Sequence, residues 1–384
     1  MKMAIGLAEK GRGRTSPNPV VGAVIVKDSR VIGRGFHGKY GGLHAEREAL
    51  GDCDVSPCGA TMYVTLEPCC HHGKQPPCTD AIIEAGIGRV VIGSADPNPL
   101  VAGKGVDILR KKGIAVTEGV MKEDCDAINK AFFHMMETGR PYVMMKYAMT
   151  IDGKVAAHTG MSQWITCGEA REEVHRDRGM YAAVMTGIGT VLGDDPLLTC
   201  RVAGGRNPVR VICDTHMRLP EDSAIVKTSS HVRTIVAVGD DVDDEKKKRL
   251  DAAGCEIWKV PQKGDRIDLV KLMERLGEAG IDSVMMEGGP TLNWAALEAG
   301  IVSKVKAYIA PKVMGGESAP TPVSPMGGES APTPVSPMGR ESAPAAVSPV
   351  GGTGAPSPDD AVMLSDIRWR CVGDDIVIEG EVRK

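Results

Sequence analysis

The chain has 384 residues, 42% hydrophobic and 25% charged, with acids and bases nearly balanced at a formal charge of −4. These values exclude wholesale disorder and a strongly basic nucleic-acid binder, and aromatics at 3% leave little for base-stacking platforms. No apolar run approaches the roughly 20 residues of a membrane helix, and the 11 cysteines, an odd number spread along the chain, fit a reducing cytoplasm rather than a secreted disulfide scaffold.

Residues 1–10 predict a short amphipathic helix with no signal-peptide apolar region. Val20–Lys27 and Arg30–Gly35 read as two strands joined by a tight turn at Asp28-Ser29. Leu43–Leu50 reads as a helix, Ala60–Leu66 as a strand, Thr79–Ala85 as a helix, Arg89–Ser94 as a strand, Gly105–Lys112 as a helix and Ala115–Glu118 as a short strand. Asp124–Met136 predicts one amphipathic helix that stops at Thr138-Gly139-Arg140-Pro141, where a glycine is closely followed by a proline. A domain boundary is placed there, giving domains at 1–140 and 141–384. The second half repeats the alternation, with strands at Val143–Met149, Ala182–Thr186, Val209–Cys213, Thr234–Val238, Ser283–Met286, Lys304–Ile309 and Ile376–Val382. Helices are predicted at Gly168–Arg178, Asp268–Ala279 and Thr291–Ala299. Such alternation argues for α/β layers with covered sheet faces.

One segment breaks the pattern. Met314–Pro325 recurs unchanged at Met326–Pro337 and imperfectly at Met338–Pro349, a 12-residue period rich in Pro, Ser and Gly. That composition cannot bury a core, and the period matches no usual solenoid, so 314–349 reads as an exposed extended loop. A tolerated tandem duplication is the plain reading; a partner-binding polyproline-type segment is the alternative.

The strongest chemical signal is His44-Ala45-Glu46, followed by Glu67-Pro68-Cys69 and then Cys78. One imidazole and two thiolates make a three-ligand set that leaves a fourth tetrahedral position for water, the arrangement of a catalytic zinc. Zinc lowers the pKa of such a water toward neutrality, and Glu46, two residues from His44 at a helix start, is placed to shuttle its proton. Cys78 lies just before a predicted helix, where the dipole favours thiolate. A closed structural zinc with His71 or His72 as fourth ligand is the competing reading. His-x-Glu with Pro-Cys and a later Cys is the zinc nucleobase-deaminase pattern, but here eight residues separate the cysteines instead of two.

Several segments together resemble the bifunctional deaminase/reductases of riboflavin biosynthesis. They are Pro17-Asn18-Pro19-Val20-Val21-Gly22, His44-Ala45-Glu46, Thr65–Gly73 with Pro76-Pro77-Cys78, and Asp96-Pro97-Asn98-Pro99 followed by Ala102-Gly103 and Gly105. The long Cys–Cys spacing is the mark of that family. The resemblance implies a cytidine-deaminase-like N-terminal domain acting on a diaminopyrimidinone ribosyl phosphate, with Asn18 helping to hold the pyrimidine. Cys70 stands where the family commonly has Ser, and Lys74-Gln75 where it has Arg-Thr; neither change touches a ligand.

In the second half, Gly187-Ile188-Gly189-Thr190-Val191-Leu192-Gly193 lacks dinucleotide-loop spacing. Glu287-Gly288-Gly289-Pro290-Thr291 places a glycine-rich turn between a strand and a helix, where helix N–H groups can receive phosphate. Arg178 and Arg201 suit a bidentate phosphate clamp, although an ordinary turn and surface ion pairs would look the same. The resemblance extends through Lys146-Tyr147-Ala148, Ser162–Thr166, Gly189–Pro196, Leu198–Arg201 and Glu287–Thr291 to the family's dihydrofolate-reductase-like domain. It implies NADPH and reduction of the ribosyl group to ribityl. By position, Ala148, Trp164, Thr190, Asp194 and the Gly289–Ala295 turn, with Gly289, Pro290 and Thr291, would contact NADPH. Ser162, Arg178, Leu198, Arg201 and Glu287 would contact substrate, and Lys154 and Asp152 are candidate proton donors. The expectation is therefore a cytoplasmic homo-oligomeric enzyme with zinc and NADPH, a small-molecule substrate, and neither nucleic acid nor membrane as partner. A nucleic-acid deaminase, or a deaminase whose second domain is a non-catalytic scaffold, are the rivals.

Overall fold

The computed structural model describes residues 1–159, 161–315, 349–351 and 354–383, so the repeat reading at 314–349 falls almost wholly outside the described residues. The chain divides into two compact units: Met1–Tyr142 with Leu276–Asp282, and Val143–Arg275 with Ser283–Lys384.

The first unit runs α1 (Lys2–Ala8), β1 (Gly22–Lys27), β2 (Arg30–Phe36), α2 (Ala45–Gly51), β3 (Thr61–Leu66), α3 (Cys78–Glu84), β4 (Arg89–Ser94), α4 (Lys104–Lys111), β5 (Ala115–Thr117), α5 (Lys122–Ile128) and α6 (Lys130–Thr138). Its sheet has the order β2-β1-β3-β4-β5. β1 pairs antiparallel with β2 and β3, while β3, β4 and β5 run parallel. Asp28 and Ser29 take φ of 48° and 63°, the backbone of a two-residue hairpin turn that matches strand twist. Ala23, Ile25, Met62, Val64, Val90 and Ile92 form the core with Ala45, Ala49 and Ile82 from the covering helices. Two β2 glycines let α2 lie close: a Cβ on Gly33 would meet the Ala49 carbonyl at 2.3 Å, and one on Gly35 the Ala45 carbonyl at 2.3 Å.

The single helix expected over Asp124–Met136 is two helices, α5 and α6, broken at Asn129 (φ −121°, ψ 20°). The buried Asn129 amide binds the Val20 backbone twice: Val20 N–H donates to Oδ1 at 2.9 Å, and Nδ2 donates to the Val20 carbonyl at 2.9 Å. Those bonds to a distant segment outweigh helix continuity, which periodicity alone could not reveal.

The second unit runs β6 (Tyr142–Thr150), α7 (Gly168–Met180), β7 (Ala183–Gly187), α8 (Ile188–Asp194), β8 (Val209–Cys213), α9 (Ala224–Lys227), β9 (Thr234–Val238), α10 (Asp244–Ala252), β10 (Cys255–Lys259), the two-residue strands β11 (Gln262–Lys263) and β12 (Arg266–Ile267), α11 (Leu269–Glu278), β13 (Ser283–Met286), α12 (Pro290–Glu298), β14 (Lys304–Ala310), β15 (Leu364–Val372) and β16 (Asp375–Val382). The large sheet has the order β10-β9-β8-β7-β13-β6-β14-β16-β15. β10 through β7 and β13 are parallel, as are β6 and β14, and the β14-β16-β15 edge is antiparallel. β13 inserts between β7 and β6, so the carboxyl ends of β7 and β13 flank the point where strand order reverses, the usual ligand position in such sheets. Arg210 on β8 is fully buried without a carboxylate; its guanidinium donates to Thr234, Thr228 and the Ile225 and Val232 carbonyls at 2.7–3.1 Å, so hydrogen bonds alone satisfy a charge in the core.

Candidate functional sites

His44 is the N-cap residue of α2, Cys78 the first residue of α3, and Cys69 follows β3 through Glu67-Pro68. The tight α2–β2 contact and the Arg47 Nη2 bond to the Pro77 carbonyl (2.9 Å) bring the two helix starts together. His44 Nδ1 lies 3.5 Å from Cys69 Sγ and 3.4 Å from Cys78 Sγ. A zinc with bonds of about 2.3 Å to sulfur and about 2.05 Å to nitrogen spaces its tetrahedral ligands about 3.6 Å apart, so the donor set fits the ion. Among the described residues this triad is the metal-competent cluster of histidine, cysteine and carboxylate side chains. His71 lines the same cavity but does not join the triad, and Cys70 Sγ turns to the Leu100 carbonyl at 3.7 Å.

The triad's protonation agrees with the donor set. The Cys78 thiol donates toward Cys69, which pulls the Cys69 thiol well below its ordinary value and pushes that of Cys78 up. Hydrogen bonding to Cys69 raises His44. A divalent cation held here would favour the thiolate form of both cysteines. Glu46 is 4% exposed, and burial, followed by the nearby Cys69 sulfur, pushes its carboxyl up to about 7.

His44, Glu46 and Cys69 open on a cavity of about 290 Å³, also lined by Asn18, His37, Tyr40, Glu67, Lys74, Asp96 and Asn98. His37 Nδ1 contacts the Leu43 carbonyl at 2.9 Å, which requires a proton there and leaves Nε2 to accept from Asn18 Nδ2 at 3.3 Å. Burial lowers the His37 pKa, in keeping with that neutral tautomer. The Lys74 ammonium sits 3.9 Å from the Tyr40 ring centre. Asp96, buried, is pushed up to about 6. Of these, the sequence nominated Asn18, for the pyrimidine, and Lys74, whose positive charge could meet the substrate phosphate. The turn-forming Asp-Pro-Asn-Pro run and the His37…His44 spacing were the available signals, but neither says which side chains face the cavity.

In the second unit, Arg178 on α7 grips Glu287, just beyond β13, with Nε–Oε1 at 2.6 Å and Nη2–Oε2 at 3.0 Å. Lys146 Nζ lies 3.7 Å from Glu287 Oε2. Burial alone would raise the Glu287 carboxyl, but Arg178 and Lys146 outweigh it and hold it at about 2. Arg178 Nη1 and His175 Nδ1 both donate to the Thr199 carbonyl, at 3.2 and 3.1 Å, next to Leu198, which is buried with φ 51°. Ser162 Oγ bonds Asp194 at the end of α8 (3.3 Å), and Thr190 Oγ1 lies 3.5 Å from where a Gly289 Cβ would stand. Gly289 caps α12 with Pro290 at its first turn and Thr291 next, so the turn presents free N–H groups. Trp164 is 63% exposed and stacks on the Arg171 guanidinium at 4.6 Å; Ala148 lies on β6. Arg201 is exposed, and no side-chain hydrogen bond joins it to the Arg178–Glu287 pair. The Asp152 carboxylate accepts from Thr150 Oγ1 at 2.5 Å and from the Gly315 N–H at 2.8 Å, and the Thr150 hydroxyl holds its pKa below the ordinary value. It is an anchored acceptor, poorly suited to the proton donation considered for it. Lys154 is buried at 2% exposure.

A cavity at a His-Cys-Cys triad with a buried glutamate has the donor set and proton carrier of a zinc-dependent deaminase, and the second unit is a mostly parallel sheet with Arg178, Lys146 and Glu287 gathered near its strand ends. Comparison with known proteins agrees. Residues 1–94 match the cytidine and deoxycytidylate deaminase zinc-binding region, and residues 141–337 match the RibD C-terminal domain. The chain is 50% identical over 323 residues to the riboflavin biosynthesis protein RibD of Actinobacillus pleuropneumoniae, covering 84% of this chain and 86% of that one. Against the Escherichia coli protein of that name it is 40% identical over 334 residues, covering 83% and 88%. The fold superimposes on Acinetobacter baumannii RibD with a TM-score of 0.82 at 32% identity, covering 100% and 97% of the two chains. It superimposes on the Thermotoga maritima diaminohydroxyphosphoribosylaminopyrimidine deaminase/5-amino-6-(5-phosphoribosylamino)uracil reductase with a TM-score of 0.78 at 36% identity, covering 100% and 97% of the two chains. The chain belongs to the RibD family: it is a bifunctional deaminase/reductase of riboflavin biosynthesis, with a zinc-binding deaminase domain and a dihydrofolate-reductase-like domain that uses NADPH. No helix among the described residues is long and apolar enough to cross a membrane.

Proposed function

We propose that the first unit deaminates 2,5-diamino-6-(5-phosphoribosylamino)pyrimidin-4-one and that the second reduces the ribosyl group of the product to ribityl. The observation that carries this reading is that buried Glu46 shares one cavity with His44 and Cys69, two members of the His44–Cys69–Cys78 triad. Zinc held by His44, Cys69 and Cys78 would supply a Lewis acid that makes water nucleophilic near neutral pH. Glu46 then takes a proton from the attacking water and delivers it to the departing amine, so the carbon–nitrogen bond breaks as the carbon–oxygen bond forms and ammonia leaves. A carboxyl raised by burial suits a group that must both accept and return a proton. Asn18, oriented by His37, offers its Oδ1 to the pyrimidine, and Lys74, held against Tyr40, offers positive charge to the phosphate.

In the second unit, Lys146, Arg178 and Arg201 supply the positive charge for the ribosyl phosphate, with Ser162, Leu198 and Glu287 shaping the substrate side. Ala148, Trp164, Thr190, Asp194 and the Gly289–Pro290–Thr291 turn would hold NADPH. Reduction adds one hydride and one proton to the ribosyl group. The domain division at 140/141, a cytoplasmic location and a homo-oligomeric state belong to the same proposal. The edge strand β15 supports assembly, because it exposes Ile367 (61%) and Trp369 (73%).

The test supplies the un-deaminated substrate and follows ammonia and NADPH in one reaction. Release of ammonia followed by NADPH loss is expected. Ammonia without NADPH loss would leave the second unit as a scaffold, and neither signal from zinc-loaded protein would refute the substrate.

A further inference from the structure

Glu67 is 3% exposed, and among the described residues no ion pair joins its carboxylate to a cation and the hydrogen bonds it accepts come from backbone. Oε2 accepts from Gly103 N–H at 3.0 Å and from Asp96 N–H at 3.4 Å. Oε1 accepts from Gly105 N–H at 3.0 Å and from Val106 N–H at 3.3 Å. Asp96 follows β4, and Gly103 caps α4, so one carboxylate fastens both ends of the connection between them and the first turn of the helix. Four donors converge on a charge at a helix start, where the dipole also favours it.

The segment so held is the one that faces the cavity with Asp96 and Asn98. Within it, Asp96 Oδ1 accepts from Asn98 N–H at 2.9 Å, and Asn98 Oδ1 accepts from Leu100 N–H at 3.0 Å. One lone pair of Asn98 Oδ1 is thereby taken, and its Nδ2 can be offered to the cavity. Packing is close on the helix side: a Cβ on Gly105 would stand 2.3 Å from the Pro68 carbonyl and 3.1 Å from Glu67 Oε1.

We propose that Glu67 is a positioning residue of the deaminase, fastening the 96–103 connection so that Asp96 and Asn98 form a fixed, substrate-binding wall of the cavity. The inference rests on reading this cavity as the deaminase pocket. Although Glu67 borders the cavity, the N–H groups of Asp96, Gly103, Gly105 and Val106 engage both of its carboxylate oxygens, so it acts through the backbone it holds. Glutamine in its place keeps the shape but turns an NH2 group toward N–H donors, so at least one bond becomes a clash of donors.

The test uses the zinc-loaded, full-length Glu67→Gln and Gly105→Ala variants. Zinc per chain, KM and kcat for ammonia release, and amide hydrogen exchange over 96–106 are measured. NADPH oxidation with the deaminated substrate reports on the second unit. Loss of charge-assisted bonds from a binding wall should raise KM by about tenfold or more and leave kcat within about threefold. In Glu67→Gln, zinc and NADPH oxidation should stay at wild-type levels, and exchange at Gly103 and Val106 should quicken in both variants. Unchanged KM with unchanged exchange overturns the proposal. So does loss of zinc in Glu67→Gln, which would mean that Glu67 acts by holding Cys69. Should the wild-type protein release no ammonia, the pocket reading has failed, and the exchange measurement alone still decides whether Glu67 fastens the loop.

Discussion

The two active regions solve the same problem, holding charge out of water, in different ways. In the first unit the groups that matter are few: two cysteine sulfurs, an imidazole and a carboxyl raised to about 7, in a donor set that fits a divalent cation. In the second, full charges already neutralise one another: Arg178 and Lys146 surround Glu287, and Lys306 on β14 lies 2.7 Å from Glu173 and 2.6 Å from Asp177. The first arrangement is completed by its metal. The second is complete as a folded structure and turns toward an anionic ligand only its excess of cations. A deaminase site should therefore respond to metal and to single proton carriers, while the reductase site should respond to anything that unbalances buried charge.

The sharpest way to break that contrast is Glu46→Gln. Removal of a positioned proton carrier should lower ammonia release by about 10² to 10⁴-fold, with zinc content and NADPH oxidation of the deaminated substrate unchanged. Retained ammonia release would remove Glu46 from the mechanism. Next, Cys78→Ala should abolish stoichiometric zinc, measured by atomic emission, and with it deamination. Chelator treatment of the wild-type protein should do the same and be reversed by added zinc. Unchanged metal content would instead indicate His71, His72 or Cys70 as a ligand.

In the second unit, Glu287→Gln leaves Arg178 and Lys146 buried without their carboxylate. Breaking such a pair should cost about 3–5 kcal/mol of stability, read from denaturant midpoints, along with reductase activity. The same logic sets a pH dependence. Glu287 and Glu173 are held at about 2 in the folded protein against an ordinary value of 4.5. For Glu173, burial pushes up, and the bonds from Arg370 and Lys306 outweigh it. Depressed carboxyls stabilise the fold fully above about pH 4.5 and lose that contribution as pH falls toward 2. The second unit's unfolding midpoint should therefore fall through that window, and less steeply in Glu287→Gln. A midpoint flat from pH 5 to pH 2.5 would contradict it. The smallest effect is expected from deleting Met326–Pro337, one unchanged copy of the repeat: both activities should stay within about twofold, as for a tolerated loop insertion. Loss of NADPH oxidation alone would give the repeat a role in the reductase.

The zinc set and Glu46 were legible in the sequence because their chemistry is local. His44 and Glu46 sit on one helical turn, and Cys69 and Cys78 flank one loop, so spacing alone nominates them. Strands and helices with clean alternation were legible for the same reason, from β3 and β4 through β8, β9 and β13. The helix break at Asn129 was not, since its cause is a pair of bonds to Val20, 109 positions away. Nor were Asp96, Asn98, His37 and Tyr40 as cavity walls, or Glu67 as the residue that accepts four N–H groups. Each depends on which face of a loop turns inward, and that is fixed by backbone hydrogen bonds between segments. In the second unit the sequence nominated Arg178 and Glu287 separately; their bidentate pairing, and the addition of Lys146, required the strand order that inserts β13 between β7 and β6. Sequence by itself thus determined the chemical inventory and the local elements, because residue type and period are properties of neighbours along the chain. Tertiary structure decided which of those groups share a cavity, which carboxylates are ionised and which loops are held, because burial and partnership exist only once distant segments pack.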